Sequence, residues 1–508
     1  MGSAAENITS ISPKNSKTSQ SNSTFEDIKK RRSPELIIAL CGAIGSGIKT
    51  LKEHLASKLT EHGYITKHVT ISELIIEKLD SNGEISNLSP FDRYTKLQDF
   101  GDSLRSSKTN GILAELAIEQ IATLREDEVG LTNAQKNSEH RIAYIVNQIK
   151  HPGEIELFQE LYKNNFYLIG LMRTEDERRR FLKSGDIDDG DASELIRRDR
   201  KDKDPHGQQV EKCLHLSDYF IRNIDEAEKI EDSVERFIRL VHGTKLITPT
   251  KEETGIYAAQ SASLRSACLS RQVGAAITDD NGSVLSTGCN DVPSSGGGLY
   301  NAESTSDKRC YNFEGTCHND LHKNKLKNEI RAILTSEAVK NADIIAEKII
   351  EKSKAKSLIE YSRAIHAEMD AITTLARSNS SSSLNKTMYC TTYPCHICAR
   401  HIVAAGITKV VYIEPYEKSL ALELHSDAIC HPETQSKSDK VLFVNFEGVS
   451  PKRYLKFFGY NNPRKDSNGK VITRFGNTSG QVDPQQLDGY NDYEKKVINN
   501  LREKFPEN

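Results

Sequence analysis

The 508-residue chain carries 69 Lys and Arg against 72 Asp and Glu, a net charge of -3, which excludes a global polycation that grips nucleic acid through its phosphates. Its length allows roughly two or three domains, each with its own core. Its 10 Cys are irregularly spaced, and with no signal peptide and no apolar run of about 18 residues they indicate a soluble cytoplasmic protein without membrane contact, using Cys for metal or packing.

Residues 1–32 are rich in Ser, Asn, Thr and Lys and are expected to be disordered, with Lys29-Lys30-Arg31-Arg32 read as a solvated linker. The apolar run 36–40 predicts a strand. It leads into Gly42-Ala43-Ile44-Gly45-Ser46-Gly47-Ile48-Lys49-Thr50 and then an amphipathic helix. Strand, Gly-rich turn and helix form the context of a phosphate-binding loop, because backbone N–H groups at a helix start donate to phosphate oxygens. Gly42, Gly45, Ser46, Gly47, Lys49 and Thr50 are therefore candidate nucleotide-binding residues. The match is defective. Ile48 stands where Lys should follow the second Gly, and Lys49, one residue late on a helix, points about 100° away. Thr50 is displaced in the same way.

A predicted strand over 142–146 ends at Asn147, where such folds usually place a metal-binding Asp. There follow a strand over 166–171, an Arg-rich helix (Arg173, Arg178, Arg179, Arg180), the run Arg197-Arg198-Asp199-Arg200 and a strand over 219–221. The alternation argues a parallel α/β domain spanning 33–245. This region resembles the nucleoside-monophosphate kinase branch of P-loop proteins, and its arginines resemble a phosphate-clamping lid; a solvated charged helix is the alternative. The departures imply loss of phosphoryl transfer and retention of the turn for a regulatory nucleotide.

A composition shift near 246 opens a second domain, 246–465, followed by an extension, 466–508. A helix over 255–264 precedes Ser270-Arg271-Gln272-Val273-Gly274. Strands over 275–278 and 284–288 flank Asp279-Asp280-Asn281-Gly282, a hairpin signal, and lead to Cys289-Asn290-Asp291-Val292-Pro293. Residues 294–364 begin with Ser-Ser-Gly-Gly-Gly and become strongly helical over 323–357. Cys310, Cys317 and His318 are candidate ligands of a second, structural zinc, with no evident fourth ligand.

Then come His366-Ala367-Glu368, a strand-like segment over 387–392 and Pro394-Cys395-His396-Ile397-Cys398. A buried strand over 409–413 runs into Glu414-Pro415-Tyr416-Glu417-Lys418-Ser419 and a helix over 420–428. Tyr416 and Lys418 are placed at a strand's C-terminal end, where a substrate pocket is lined. Lys418 and Ser419 are candidate phosphate contacts, with an ordinary N-cap by Ser419 as the alternative. A strand over 441–446, a basic turn, a polar Gly-rich stretch and an amphipathic helix over 493–505 end the chain.

His366, Cys395 and Cys398 supply three ligands to a tetrahedral Zn²⁺ and leave the fourth position open for water. Two thiolates and a neutral imidazole cancel the ion's charge, yet leave it acidic enough to form hydroxide near neutral pH. Glu368, two residues past His366, is placed to carry protons without binding the metal. Pro394 suits a helix start, and the helix N-terminus favours both thiolates. H-x-E followed by P-C-x-x-C is the signature of zinc nucleobase deaminases.

S-x-x-V-G-A at 270–275, G-x-N-x-x-P at 288–293, H-A-E and P-C-x-x-C together resemble the deoxycytidylate deaminase family. The resemblance implies a three-layer αβα fold, one catalytic Zn²⁺ and Glu368 passing protons from water to N3 and the leaving amine of cytosine. It also implies a deoxyribose hydrogen bond from Asn290 and base contacts from the backbone around Ala367 and Pro394. Cys289 and Asp291 depart from the family's Tyr and Gly.

The combination with a degraded P-loop domain, over about 33–460, resembles the bacterial antiviral cytidine deaminases. That implies conversion of dCTP and dCMP to dUTP and dUMP, draining dCTP during phage infection. It further implies a repressor small RNA in a toxin–antitoxin-like pair, and a homo-oligomer. Three alternatives stand beside it. A polynucleotide cytidine or adenosine deaminase is disfavoured by the charge and the missing aromatic platform. An active nucleotide kinase is disfavoured by Ile48 and Asn147. A non-catalytic nucleotide- or RNA-sensing protein is disfavoured by Glu368 beside an open zinc position.

Overall fold

A computed structural model describes residues 24–79, 83–129, 141–200, 204–353, 355, 358–378, 381–416, 419–432, 439–459, 463–472, 481–489 and seven positions within 492–502. It is an α/β protein with two six-stranded sheets. The first contains β1 (Leu36–Gly42), β2 (Ile65–Thr70), β3 (Ile142–Asn147), β4 (Phe166–Met172), β5 (Tyr219–Arg222) and the distant β12 (Gly448–Val449). Their order is β12-β5-β4-β1-β3-β2. All neighbours run parallel except β12, which is antiparallel to β5. The central strands are buried at every position, as expected where helices cover both faces of a parallel sheet.

Leu51, Leu55 and Leu59 recur every four residues on the helix Ile48–Glu61, so one stripe packs on the sheet beside Val234, Phe237 and Val241 of the helix Ala227–His242. Burying each such side chain contributes about 1.5–3 kcal/mol, more than helix propensity supplies.

The second sheet contains β6 (Gly274–Thr278), β7 (Val284–Cys289), β8 (Thr387–Thr392), β9 (Lys409–Glu414), β10 (Ile429–Cys430) and β11 (Val441–Asn445), in the order β10-β11-β9-β8-β6-β7. The pairs β6–β7 and β6–β8 are antiparallel and the rest parallel. Alternate residues face opposite layers. Ala275, Ile277, Met388, Cys390, Val410 and Tyr412 face the helices Ala367–Ser378 and His396–Ala404. Ala276, Tyr389 and Val411 face the helix Lys251–Ser263 and share a core with Ile37, Ala39 and Val146 of the first sheet.

The halves are also joined by polar groups. Buried Glu253 accepts hydrogen bonds from Arg236 Nη2 at 2.5 Å, the Thr250 N–H at 2.8 Å and the Val449 N–H at 2.9 Å. Asp218 accepts from the Leu168 N–H at 2.9 Å and from Arg453 Nε at 2.8 Å, while Tyr257 stacks on Tyr454. After β11, residues 448–458 therefore return to the first sheet, and residues 481–488 strap it near Glu35 and Arg31.

Several expected elements differ. A helix occupies Thr24–Lys30 inside the stretch expected to be disordered, and Arg31 pairs with Asp488 at 2.7 Å, so residues 29–32 are not a free linker; residues 1–23 lie outside the described residues. The helical stretch over 323–357 is two helices, His318–Ser336 and Ala342–Lys352, separated where Ala338 and Asn341 adopt positive φ. The helix expected over 420–428 is Ala421–Leu424, because Ile429 and Cys430 are drawn into the sheet as β10. The helix over 493–505 lies largely outside the described residues.

Glu253→Ala leaves the buried Val449 N–H without its acceptor, removes the partner of Arg236 and breaks the capping bond from the Thr250 N–H. Its unfolding free energy is expected to fall by about 3 kcal/mol, read as a lower denaturant midpoint; an unchanged midpoint would remove Glu253 as a joint between the halves.

Candidate active site

The helix Ala367–Ser378 begins against β7 at a point where only glycine fits. A Cβ on Gly288 would lie 2.2 Å from the Ala367 carbonyl oxygen. The buried Asp370 carboxylate accepts the Cys289 N–H at 3.1 Å, and Ser286 Oγ donates to the Ala371 carbonyl at 2.9 Å. These contacts fix the helix start, and with it His366 just before the helix and Glu368 in its first turn.

The facing helix His396–Ala404 has Cys395 as its N-cap, and Cys395 Sγ accepts the Cys398 N–H at 3.4 Å. His366 Nδ1 is 3.3 Å from both Cys395 Sγ and Cys398 Sγ. The three donor atoms lie within 4.8 Å of one another. Such a triangle suits an ion bonded at about 2.0–2.3 Å, and one imidazole with two thiols is a donor set for Zn²⁺. Hydrogen bonds from Cys398 and His366 pull the Cys395 thiol down to about 4 against the effect of burial. The Cys395 contact pushes His366 up to about 9, and the Cys398 thiol is pushed up by its bond to Cys395 and its burial. A bound cation takes the place of those protons.

Glu368 is buried, with Oε2 3.3 Å from Cys398 Sγ, and burial raises its carboxyl pKa. It faces a cavity of about 170 Å³ whose walls include Arg271, Asn290, Ser362, Ala367, Tyr393 and Tyr416. Arg271 is the one Lys or Arg in that wall among the described residues. Its Nη2 donates to Thr392 Oγ1 at 2.5 Å and pairs with Glu414, which is 3.8 Å from His215 of the first half.

The sequence candidates are distributed unevenly around this cavity. His366, Ala367, Glu368, Cys395, Asn290 and Tyr416 line it. Both ends of the Asn290 amide are already used, since Oδ1 accepts the Val273 N–H at 2.7 Å and Nδ2 donates to the Arg271 carbonyl at 2.8 Å. The Pro394 carbonyl accepts Ser419 Oγ at 2.7 Å. Lys418 lies outside the described residues. Cys310, Cys317 and His318 line one small pocket with Cys268, while among the described residues His366, Cys395 and Cys398 form the one group whose donor atoms all lie within 4.8 Å of one another; His318 pairs with Glu314 at 3.4 Å.

In the first half, Gly42 and Ser46 are buried, Gly45 and Gly47 have positive φ, and Lys49 and Thr50 are exposed. Sequence reasoning passed over Arg271, Thr392, Tyr393 and Ser362. Arg271 stood inside a motif read only for its flanks, while Ser362 lies in a segment with no periodicity or motif to mark it.

This is the layout of a hydrolytic deaminase: a metal-donor triangle and a buried carboxylate at the floor of one small cavity. Residues 249–414 match the model of the cytidine and deoxycytidylate deaminase zinc-binding region. Over 169 residues the chain is 34% identical to a deoxycytidylate deaminase of Enterobacteria phage T2, covering 33% of this chain and 82% of that protein. The chain belongs to the deoxycytidylate deaminase family. Among solved structures, the dCMP deaminase of cyanophage S-TIM5 in complex with dCMP and dUMP is 19% identical, covering 39% of this chain and 99% of that one at a TM-score of 0.24. A shikimate kinase from Bacteroides thetaiotaomicron is 17% identical, covering 40% and 97% at a TM-score of 0.24. No helix among the described residues is long and apolar enough to cross a membrane.

The donor triangle makes a direct prediction. Cys395→Ala purified beside the wild type should lose its zinc, measured by elemental analysis after dialysis. Full zinc occupancy in the variant would exclude Cys395 as a ligand.

Proposed function

We propose that the protein hydrolytically deaminates free deoxycytidine nucleotides, dCMP and dCTP, to dUMP and dUTP with release of ammonia. The observation that carries this reading is the buried Glu368 carboxylate beside the His366, Cys395 and Cys398 donors, at a cavity whose wall holds one cation, Arg271, among the described residues. Those three residues would hold a Zn²⁺ ion, which would supply a water acidified enough to attack at neutral pH.

Glu368 does the proton work. Burial holds its pKa above the usual carboxylate range, so it is basic enough to take a proton from that water and acidic enough to return one. It passes the first proton to N3 of cytosine as the water oxygen bonds to C4, then takes the proton of the new C4 hydroxyl and gives it to the amine as the C4–N bond breaks, leaving the uracil carbonyl and ammonia. Ala367 and Tyr416 enclose the base, and Asn290 sets the turn that presents Arg271. Arg271, held by Thr392 and Glu414, places a guanidinium at the cavity wall for the nucleotide's phosphate. Lys418, two residues past Tyr416, is a second candidate for that phosphate.

The wider role, depletion of dCTP as an antiviral defence against phage, rests on the resemblance of the two-part architecture to the antiviral cytidine deaminases. A repressor small RNA, a toxin–antitoxin-like pairing and a homo-oligomer rest on that same resemblance.

Chromatography of dC, dCMP, dCTP, CTP and single-stranded DNA after incubation with the protein tests the chemistry. Conversion of dCMP or dCTP is expected, and conversion of single-stranded DNA alone would replace this reading by the polynucleotide one. Glu368→Ala should keep zinc and fold while losing about 10²–10⁴-fold in rate, and residual activity within tenfold of wild type would rule out its role. Arg271→Gln should raise KM for dCMP by about tenfold or more while moving KM for deoxycytidine much less; equal effects on both would place Arg271 away from the phosphate.

A further inference from the structure

We propose that the Gly42–Gly47 turn is the floor of a second anion site, a receptor for the phosphate groups of a nucleotide that works without magnesium and is closed here by the protein's own Asp199 carboxylate.

The turn is built to accept an anion. Gly45 and Gly47 have φ of +80° and +91°, the left-handed backbone that turns successive N–H groups toward one concavity. One of those donors is already on a carboxylate. The Ile44 N–H donates to Asp199 Oδ2 at 2.7 Å. The other Asp199 oxygen accepts Lys150 Nζ at 2.6 Å, and Lys150 also donates to the Gly42 carbonyl at 3.0 Å. A carboxylate–ammonium pair is thus seated where phosphate and its counter-charge sit in a phosphate-binding loop.

The groups around that pair are not satisfied by it. Ser46 is 1% exposed and its Oγ has no hydrogen-bond partner. This hydroxyl is folded into the turn, where a Cβ on Gly42 would lie 2.5 Å from it. Arg178 is 7% exposed, and its Nε and Nη1 have no hydrogen-bond partner. Its backbone lies against the turn, where a Cβ on Gly45 would sit 2.8 Å from the Arg178 carbonyl oxygen. Burial lowers the guanidinium's pKa, with Asp199 and Glu175 opposing that shift and Arg173 and Arg200 adding to it. A buried guanidinium and a buried hydroxyl are each costly without an acceptor, and a phosphate in the turn would offer oxygens for charge-assisted bonds to both.

The usual magnesium partners of such a turn are altered here. Asn147 at the end of β3 offers a carboxamide in place of a carboxylate, and Thr50 is exposed on the helix beyond the turn. The positive charge comes from Arg178 and Lys150 instead. Asp199 belongs to the helix Asp189–Arg200, which packs with Leu182 and Ile187 on Ile44 of the turn. An entering phosphate takes the Ile44 N–H from Asp199 and moves that helix outward.

Isothermal titration of the full chain with ATP tests this, since ATP lacks the cytosine that the deaminase cavity is proposed to hold. Binding is expected in EDTA, with a Kd unchanged by added magnesium. Asp199→Asn should tighten it by about tenfold, because the competing anion is gone, and Arg178→Gln should weaken it by about tenfold or more. Ser46→Ala should weaken it by roughly threefold, and decides the matter if Arg178→Gln fails to fold. Inorganic tripolyphosphate in place of ATP separates recognition of phosphate alone from recognition of a whole nucleotide; binding of either upholds the receptor. No binding of either anion to wild type and Asp199→Asn, binding that requires magnesium, or binding indifferent to both Ser46→Ala and Arg178→Gln would overturn it.

Discussion

The close approach of β7 to the helix Ala367–Ser378 sets the geometry of this protein's second half. Gly288 has no side chain, so the strand meets the Ala367 carbonyl directly, and Asp370 locks the contact through the Cys289 N–H. His366 and Glu368 flank that point of contact. Their separation from Cys395 and Cys398 is therefore fixed by a backbone-to-backbone packing distance rather than by flexible side chains. A site that must hold a cation and move protons over a few ångströms benefits from such rigidity.

The two halves are fused more closely than a linker would fuse them. One apolar core contains residues of both sheets, and the chain returns after β11 to place β12 against β5 of the first sheet. A short antiparallel strand also covers an otherwise open sheet edge. Glu414 stands on this seam. It holds Arg271 at the deaminase cavity and lies within ion-pair reach of His215 at the end of the helix Val210–His215. That helix starts beside Gln209, whose N–H donates to the Lys150 carbonyl, and Lys150 reaches the Gly42 carbonyl. The glycine-rich turn and the cavity are thus connected by a continuous run of hydrogen-bonded and packed groups.

Charge is used differently at the two sites. Around the donor triangle, two thiols and an imidazole make a donor set that fits a cation. Around the turn, Arg178 and Lys150 supply cationic charge while Asp199 answers it internally. Several other arginines of the first half pair locally, Arg179 with Glu175 and Arg197 with Glu194, as solvated helix faces do.

The sequence by itself determined the donor set and most of the central strands. His366, Cys395 and Cys398 carry a spacing that suits a metal site, and apolar runs such as 36–40 and 409–413 are long enough to mark buried strands. It also marked the defects of the glycine-rich turn, because Ile48 and Asn147 are chemical facts that need no coordinates. Only the tertiary structure decided which polar residues meet. β2, β10 and β12 are short or edge strands whose pairing comes from neighbours far along the chain, so no local period reveals them. Arg271 faces the cavity because Thr392 and Glu414 hold it there, and Asp199 reaches Ile44 because a helix more than a hundred residues away folds back over the turn. Local pattern fixes element type and ligand chemistry; which side chain fills which site is settled by long-range packing.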